Sequence, residues 1–302
     1  MRYLIINADD YGLSEASSMA IIRAHHRGVV TDVSVLAVAR DVDRSLRLLG
    51  EAPRLGVGGH LAAVGENAPL LSAAEVPTLV DQRGRFPRTW RAFAFEASAG
   101  RLDPDDLARE WGAQIERLTG AGLALSHLDT HQHVHLMSIA GAALIRLARE
   151  HGVPAVRLPT SHAAGPKGAV IRRLSGRLRN VATSAGLGTT DLSAGLDEAG
   201  NLTFPVLAST LRWVAAQPGQ SCEINCHPGA PGDLVLTDYA WGYKWKAEYD
   251  ALTNIALPEL IRALGLRLVS YDDLFPRSRL CEPGLEPIGL REPSDSRGEA
   301  VW

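Results

Sequence analysis

Residues 3–38 read YLIINADDYGLSEASSMAIIRAHHRGVVTDVSVLAV. They show the alternation of apolar strand and amphipathic helix that continues along the chain. The apolar run Tyr3–Ala8 is typical of a buried strand, and Ser14 is suited to cap a following helix. Apolar residues then recur at helical spacing as far as Gly28, a residue type that commonly ends helices. Val29–Val38 is a second apolar run. The stretch therefore predicts a strand, a helix and a second strand.

The same alternation continues downstream. Further strands are predicted at Arg54–Leu61, Leu123–Asp129, Ala155–Leu158, Ser221–Cys226 and Leu266–Ser270. Helices are predicted at Asp41–Gly50, from Pro104 to about Leu118, and at Ile139–His151, Val170–Ala185, Leu207–Ala216 and Lys246–Leu264. Because alternating strands and helices imply parallel strands with right-handed crossovers, the pattern predicts a single-domain α/β protein. About seven or eight strands favour a (β/α) TIM-barrel-like fold, and an irregular barrel is compatible with the pattern.

Two segments do not show this alternation of strands and helices. Residues 63–102 contain Pro69, Pro77 and Pro87, and we interpret them as an excursion or lid within a barrel that spans residues 1–275. Residues 276–302 form a proline-rich tail with few candidate core residues. Such a tail is expected to wrap the surface or to be disordered.

Composition narrows the class of protein. Of the 302 residues, 46% are hydrophobic and 22% are charged, which excludes a disordered chain. A net charge of −3 argues against a nucleic-acid partner. The three cysteines are too few for a disulfide framework, and neither a signal peptide nor a membrane span is recognisable. We therefore expect a cytoplasmic protein with no membrane partner; a homo-oligomer is compatible with the sequence.

Polar side chains concentrate where predicted strands end, which is where barrel enzymes place their chemistry. Asp9 and Asp10 follow the first strand, His60 ends the third, Arg157 ends the fifth, and His227 follows a later one. The aspartate pair has two interpretations. It either caps the first helix, or it supplies a metal ligand beside a general base.

The segment 127–135 holds four of the ten histidines. Strand periodicity would place His127, Asp129 and His131 on one face. Burial of a histidine in the core explains one such residue, but not four within nine positions. Imidazoles with a carboxylate suit zinc, iron, cobalt or nickel better than calcium. His127 and Asp129 with a further histidine could also form the triad of a non-haem Fe(II) oxygenase. The alternation of strands and helices counts against that alternative, because such sites usually lie on antiparallel scaffolds.

The strand Ser221–Cys226 has two faces. Alternation directs Glu223, Asn225 and His227 to the barrel mouth, and Cys222 and Cys226 to the opposite side. We therefore interpret both cysteines as packing residues rather than as metal ligands.

Five of the seventeen aromatic residues lie within residues 239–249. They either clamp the following helix or form a platform on which a sugar ring stacks. Trp241 and Trp245 are the candidates for substrate contact.

Several of these pieces together resemble the YdjC-like carbohydrate deacetylases. The matching pieces, in the family's order, are Asn7–Ser14, Gly28–Thr31, Gly58–Leu61, Leu128–His135, Val156–Pro159 and Glu223–Gly229. Each piece alone is weak, but the ordered set is specific and spans residues 3 to about 275. Gly59, Ala62 and Ser138 depart from the residues usual in the family, which affects the expected pocket shape more than the expected metal site.

The resemblance implies a TIM-barrel-like fold and hydrolysis of an N-acetyl group from an amino sugar. It assigns Asp10, His60 and His131 to one divalent metal ion, with zinc first and magnesium, cobalt, nickel or iron as alternatives. It assigns Asp9 as general base, His227 as the acid that protonates the leaving amine, and Arg157 as the residue that orients the base.

Chemistry supports this assignment, since amide hydrolysis needs an activated water, an electrophile and an acid. His133 and His135 are expected to fix the tautomers of metal ligands, or to contact the substrate with Asn225. The leading hypothesis is thus a metal-dependent N-deacetylase of a small N-acetylated sugar. The Fe(II) oxygenase and a non-catalytic, metal-dependent sugar-binding module are the alternatives.

Overall fold

The computed structural model describes residues 2–277, so Cys281 and nearly all of the predicted tail lie outside the described residues. Within this range the strands are β1 (Arg2–Tyr11), β2 (Asp32–Val35), β3 (Gly56–Leu61), β4 (Leu128–Thr130), β5 (Leu192–Ala194), β6 (Ser221–Cys226) and β7 (Leu266–Leu268). All pairings between them are parallel, in the order β4-β3-β2-β1-β6-β5. β7 pairs with the first residues of β1, and β2 pairs with its last residues.

Helices occupy the connections. They are α1 (Glu15–Arg27), α2 (Val42–Leu48), α3 (Trp90–Ser98), α4 (Pro104–Gly120), α5 (Ser138–Glu150), α6 (Pro166–Ser184), α7 (Phe204–Ala216), α8 (Trp245–Leu252), α9 (Leu257–Ala263) and α10 (Tyr271–Leu274). Caps predicted from sequence are present, since the Ser14 side chain accepts a hydrogen bond from the Ser17 N–H at the start of α1.

The sheet curls toward closure. Single parallel bridges join Leu128 to Val156 and Ala155 to Gly188, which extends the β4 edge toward the chain segment that leads into β5. Leu4, Ile6 and Ala8 of β1 belong to the main core, whereas the intervening Ile5 lies in a small cluster on the other face of the sheet. The prediction of a single-domain α/β, TIM-barrel-like fold is confirmed, in the form of an irregular, incompletely closed barrel.

Several predicted elements were wrong in extent. The fifth predicted strand is reduced to the bridges at Ala155 and Val156. β5 was missed because Asp191 and Gly195 flank it, so it lies in no apolar run. The single helix predicted over Lys246–Leu264 is in fact α8 and α9. Pro258 explains the break, because proline lacks the N–H that a helix interior needs and is tolerated in a first turn, where it begins α9.

The segment 63–102 is tied to α4. The backbone N–H groups of Leu70 and Leu71 donate to the Glu110 carboxylate, and Thr78 donates to Asp106. Its helix α3 begins at Trp90, whose backbone N–H donates to the Gln132 side chain. The segment therefore forms one wall above the ends of the strands.

Among the helices described between residues 2 and 277, none combines the length and the apolar character needed to cross a membrane. The cytoplasmic location stays a prediction.

Candidate active site

A bulge at the end of β1 positions the two aspartates. Ala8 pairs with Val33 and Tyr11 pairs with Val35, so β1 has one residue more than β2 between these pairs. Asp10 adopts a left-handed conformation with φ of 61°. Regular alternation would direct Asp9 and Asp10 to opposite faces, but the bulge lets both line one cavity.

Three ligand-type atoms meet beside this bulge. Asp10 Oδ1 lies 3.4 Å from His60 Nε2 and 3.0 Å from His131 Nδ1. The two imidazole nitrogens are 3.4 Å apart. Asp10 comes from the end of β1, His60 from the end of β3, and His131 from the turn after β4. Distant parts of the chain thus converge on a candidate metal site.

The electrostatics of this cluster favour a cation. Burial would raise the pKa of Asp10, but His131 and His60 outweigh that effect and hold the pKa well below its usual value. Burial would lower the pKa of His60, yet Asp129 and Asp10 raise it to about 10. His60 Nδ1 lies 2.7 Å from Asp129 Oδ1, which fixes the ring with Nε2 toward Asp10.

Arg157 organises the carboxylates next to the cluster. Its two terminal nitrogens bind Asp9 at 2.7 and 2.6 Å, a bidentate pairing. The same guanidinium lies 2.5 Å from Asp129 and donates to Glu223 at 2.8 Å. Burial would lower the pKa of Arg157, but the three carboxylates raise it well above its usual value. A permanent cation therefore holds the Asp9 carboxylate in one orientation.

His227 lies across from Asp9. Its Nε2 is 3.9 Å from Asp9 Oδ2, and its ring packs edge-on against Tyr243 with ring centroids 4.7 Å apart. The backbone N–H of His227 donates to Glu248 at 2.6 Å, which anchors the residue, while Nδ1 has no partner within the described residues. The predicted acid and base thus lie on the same cavity as the three ligand-type atoms.

The histidines that follow β4 do not all reach the metal site. β4 ends at Thr130, and Gln132 and His133 adopt left-handed conformations in the turn that follows. This turn directs His131 to the metal site and places His133 on the cavity wall. His135 is buried behind the turn, where its ring contacts Thr130 at 2.6 Å and the Arg157 carbonyl at 3.2 Å.

His127 is not part of the cluster. Its ring nitrogens lie 3.1 Å from Ser34 Oγ and 2.9 Å from Ser126 Oγ, and burial lowers its pKa to about 3. The ring lies so close to β3 that a Cβ at Gly58 would be 2.3 Å from it. The structure therefore does not assemble the oxygenase triad of His127, Asp129 and a further histidine.

The cavity above these residues has a volume of about 720 Å³. Trp90, Trp241 and Tyr243 line it, and Trp241 lies over His131 with ring centroids 5.1 Å apart. Among the described residues, Trp245 and Asn225 are not part of this lining. Trp245 packs in the aromatic cluster at the start of α8.

Some residues at this site escaped the sequence analysis. Tyr243 was seen only as one aromatic of a cluster, and Asp129 only as a possible metal ligand, in the histidine-rich segment and in the alternative triad. Tyr271 gave no signal, yet its hydroxyl donates to Glu223 at 2.5 Å beneath Arg157. Only the curling of the sheet brings the last strand and helix under the site.

Comparisons with known proteins agree with this architecture. A carbohydrate deacetylase from Brevibacillus brevis is 30% identical over 90% of this chain and 99% of its own length. A chitooligosaccharide deacetylase from Klebsiella pneumoniae is 32% identical over 90% of this chain and 99% of its own length. A solved structure from Enterococcus faecalis, provisionally assigned to cellobiose-phosphate cleavage, superposes with a TM-score of 0.77 at 26% identity, covering 91% of this chain and 99% of that one.

The family model described as YdjC-like protein matches residues 3–263. The match covers β1 from Tyr3 onward, β2 to β6 and every site residue named from the sequence, whereas β7 and Tyr271 lie beyond it. The chain belongs to the YdjC-like protein family.

Proposed function

We propose that this protein is a metal-dependent carbohydrate deacetylase, which hydrolyses the N-acetyl group of an amino sugar or of a small N-acetylated oligosaccharide. One observation carries the proposal: Asp10, His60 and His131 bring three ligand atoms within 3.4 Å of one another, beside Asp9 and His227 on one cavity. The deacetylase names of relatives that match along nearly their whole length support the same reaction.

The three side chains fit a divalent ion. Ligand bonds of about 2.0–2.2 Å around a tetrahedral ion put the ligand atoms roughly 3.3 Å apart, close to the observed 3.0–3.4 Å. Asp10 Oδ1 is buried, and no hydrogen bond of suitable geometry reaches it from the described residues although both imidazole nitrogens lie within 3.4 Å, so a cation between the three atoms would satisfy it. Two imidazoles and one carboxylate favour zinc, with cobalt, nickel, iron or magnesium as alternatives.

A bound divalent ion would supply Lewis acidity toward the amide carbonyl and would lower the pKa of a coordinated water. Asp9 is the proposed general base that accepts the proton of the attacking water. Arg157 holds both Asp9 oxygens, so the carboxylate meets the water in a fixed orientation. Arg157 itself transfers no proton, because its pKa is raised further by the surrounding carboxylates.

His227 is the proposed general acid. The amide C–N bond breaks only when the nitrogen leaves as an amine, which requires a proton. His227 Nε2 lies 3.9 Å from Asp9 Oδ2 and lines the same cavity, so an amide bound there can face both side chains. The products are acetate and the free amino sugar.

Acetate release is the experiment that tests the function. Purified protein, stripped with a chelator and reloaded with Zn²⁺, Co²⁺, Ni²⁺, Fe²⁺ or Mg²⁺, is incubated with N-acetylglucosamine and N,N′-diacetylchitobiose. We expect stoichiometric acetate and free amine from the reloaded protein and none from the stripped protein. Sugar binding without acetate would favour the binding module, and O₂ consumption with iron would favour the oxygenase.

A further inference from the structure

The cavity does not end at the proposed reaction centre. It continues along one side of α6, where a wall of aliphatic side chains faces the same space; we call it the aliphatic wall. Its members are Leu136, Met137, Val170, Ile171, Leu174 and Leu196. Because the metal-site side chains and the aliphatic wall line one continuous cavity, a substrate at the former reaches the latter.

Helix α6 lines the cavity with residues at and beside its buried face. Gly168, Ser175, Leu178 and Ala182 are the buried positions that pack it against the protein. Ile171 continues the spacing of these buried positions, and Leu174 and Val170 lie progressively further around the helix, toward the cavity. Val170 remains 57% exposed, so packing of the fold does not account for it.

Sugar hydroxyls do not suit such a surface. A hydroxyl that is transferred from water onto an aliphatic surface without a hydrogen-bond partner loses free energy. The groups that suit a sugar ring, His133, Trp241 and Tyr243, come from other elements of the lining, and Lys167 and Asp197 flank the aliphatic wall. An alkyl or aryl group, in contrast, gains from burial against the aliphatic wall.

We propose that the substrate is an N-acetylated amino sugar that carries an apolar aglycone, and that the aglycone lies on the aliphatic wall. This inference rests on the proposed deacetylase function and narrows its substrate class. A cavity of about 720 Å³ falls within the range that holds a ligand larger than one small group. Val170, Ile171 and Leu174 would then act as specificity residues rather than as catalytic ones.

A homologous series of glycosides tests the proposal. The methyl, butyl and hexyl β-glycosides of N-acetylglucosamine are compared, with N,N′-diacetylchitobiose as a polar reference, by kcat/KM for acetate release. We expect kcat/KM to rise roughly threefold to fourfold for each buried methylene, which is the usual gain for apolar transfer. We also expect hexyl β-glucosaminide to bind more tightly than methyl β-glucosaminide in calorimetry.

The helix offers a matched pair of variants. Val170→Asp places a charge on the aliphatic wall, whereas Val181→Asp changes a similarly exposed valine of the same helix that does not line the cavity; the two are 57% and 51% exposed. We expect Val170→Asp to flatten the dependence on chain length and Val181→Asp to preserve it. Equal kcat/KM across the alkyl series, or equal behaviour of the two variants, would overturn the aglycone proposal. Absence of acetate from every substrate would instead overturn the deacetylase function.

Discussion

The floor and the rim of the cavity are built in different ways. The floor consists of Asp9, Asp10, His60, Asp129, His131 and Arg157, none of which is more than 6% exposed. The rim consists of Trp90, Trp241 and Tyr243, which lie in connections and are partly open to solvent. The floor residues sit at or just beyond strand ends, where neighbouring strands fix the backbone.

This difference sets how each part tolerates change. Every charge of the floor has a counterpart within hydrogen-bonding distance, so removal of one group leaves another buried and uncompensated. Trp241 and Tyr243 contact each other, and all three rim residues are partly open to solvent. Trp241 also donates to Glu66, which keeps Arg88 as a partner, so loss of a rim residue mainly removes contact area. We therefore expect abrupt effects from the floor and graded effects from the rim.

The largest expected effect comes from replacing a proposed metal ligand, and it should be the same for Asp10→Ala, His60→Ala and His131→Ala. Three protein ligands leave none to spare, so each variant should lose both the bound metal and acetate release. Metal content by elemental analysis and acetate release on the same sample provide the measurement. His127→Gln is the matched control, because His127 is buried nearby but bonded to Ser34 and Ser126. If His127→Gln lost the metal while Asp10→Ala kept it, the oxygenase triad would replace the present assignment.

Asp9→Asn separates chemistry from metal binding. The variant should keep its metal and lose roughly 10²-fold or more in kcat, the scale expected for a lost general base. Arg157 retains Asp129 and Glu223 as partners, so the fold should survive, which circular dichroism would check. His227→Gln should retain the metal as well, with less damage for substrates whose leaving group needs no proton. Turnover close to that of the wild type in both variants would remove Asp9 and His227 from the mechanism.

Asp129→Asn tests whether metal affinity depends on the carboxylate that contacts the His60 ring. Replacing the partner of His60 Nδ1 should weaken metal affinity roughly 10- to 100-fold while leaving the three ligands in place. Competition with a chelator of known affinity gives the measurement. Unchanged affinity would mean that Asp129 serves Arg157 rather than the metal site.

Trp241→Ala should give the smaller, graded effect expected of the rim. Loss of a stacking surface of about 1.4 kcal/mol lowers kcat/KM roughly tenfold, mainly through KM, with metal content preserved. Trp245→Ala is the control, since Trp245 does not line the cavity among the described residues and should lower the melting temperature with unchanged kinetics. If the kinetic loss occurred in Trp245→Ala instead, the sugar platform would lie elsewhere.

The last prediction concerns stability rather than catalysis. Asp32 is buried outside the Arg157 network, and burial raises its pKa to about 8. Between about pH 4 and pH 8, Asp32 is therefore protonated in the folded protein and ionised in the unfolded chain. Because the folded state binds the extra proton, the contribution of Asp32 to the free energy of unfolding falls as the pH rises through that interval. Asp32→Asn should remove this contribution and raise the melting temperature at pH 8 by several degrees.

Asp43→Asn on the exposed surface of α2 serves as the control for this measurement, and it should not change the slope of melting temperature against pH. An unaltered slope in Asp32→Asn would show that Asp32 is ionised in the folded protein.

Much of the fold was predictable because it depends on local patterns. Apolar runs, caps and helix-ending glycines identified six of the seven strands described between residues 2 and 277, and the parallel order followed from their alternation with helices. β5 was missed because it is bounded by Asp191 and Gly195 and lies in no apolar run, and the split between α8 and α9 was missed although Pro258 is in the sequence. Whether such a short segment forms a strand depends more on pairing with a neighbouring strand than on its own residues.

For the candidate site, the sequence by itself determined which residue types stand at strand ends: two aspartates, a histidine after a glycine-rich strand, and a dense run of histidines. Parallel strands bring their carboxyl ends to one edge, so convergence of these residues followed from the strand pattern. Only the tertiary structure decided which of them meet. The bulge turns Asp9 and Asp10 into one cavity, and the left-handed turn at Gln132 separates His131 from His133 and His135. Alternation alone cannot foresee either event, because each depends on backbone conformations that the surrounding fold stabilises.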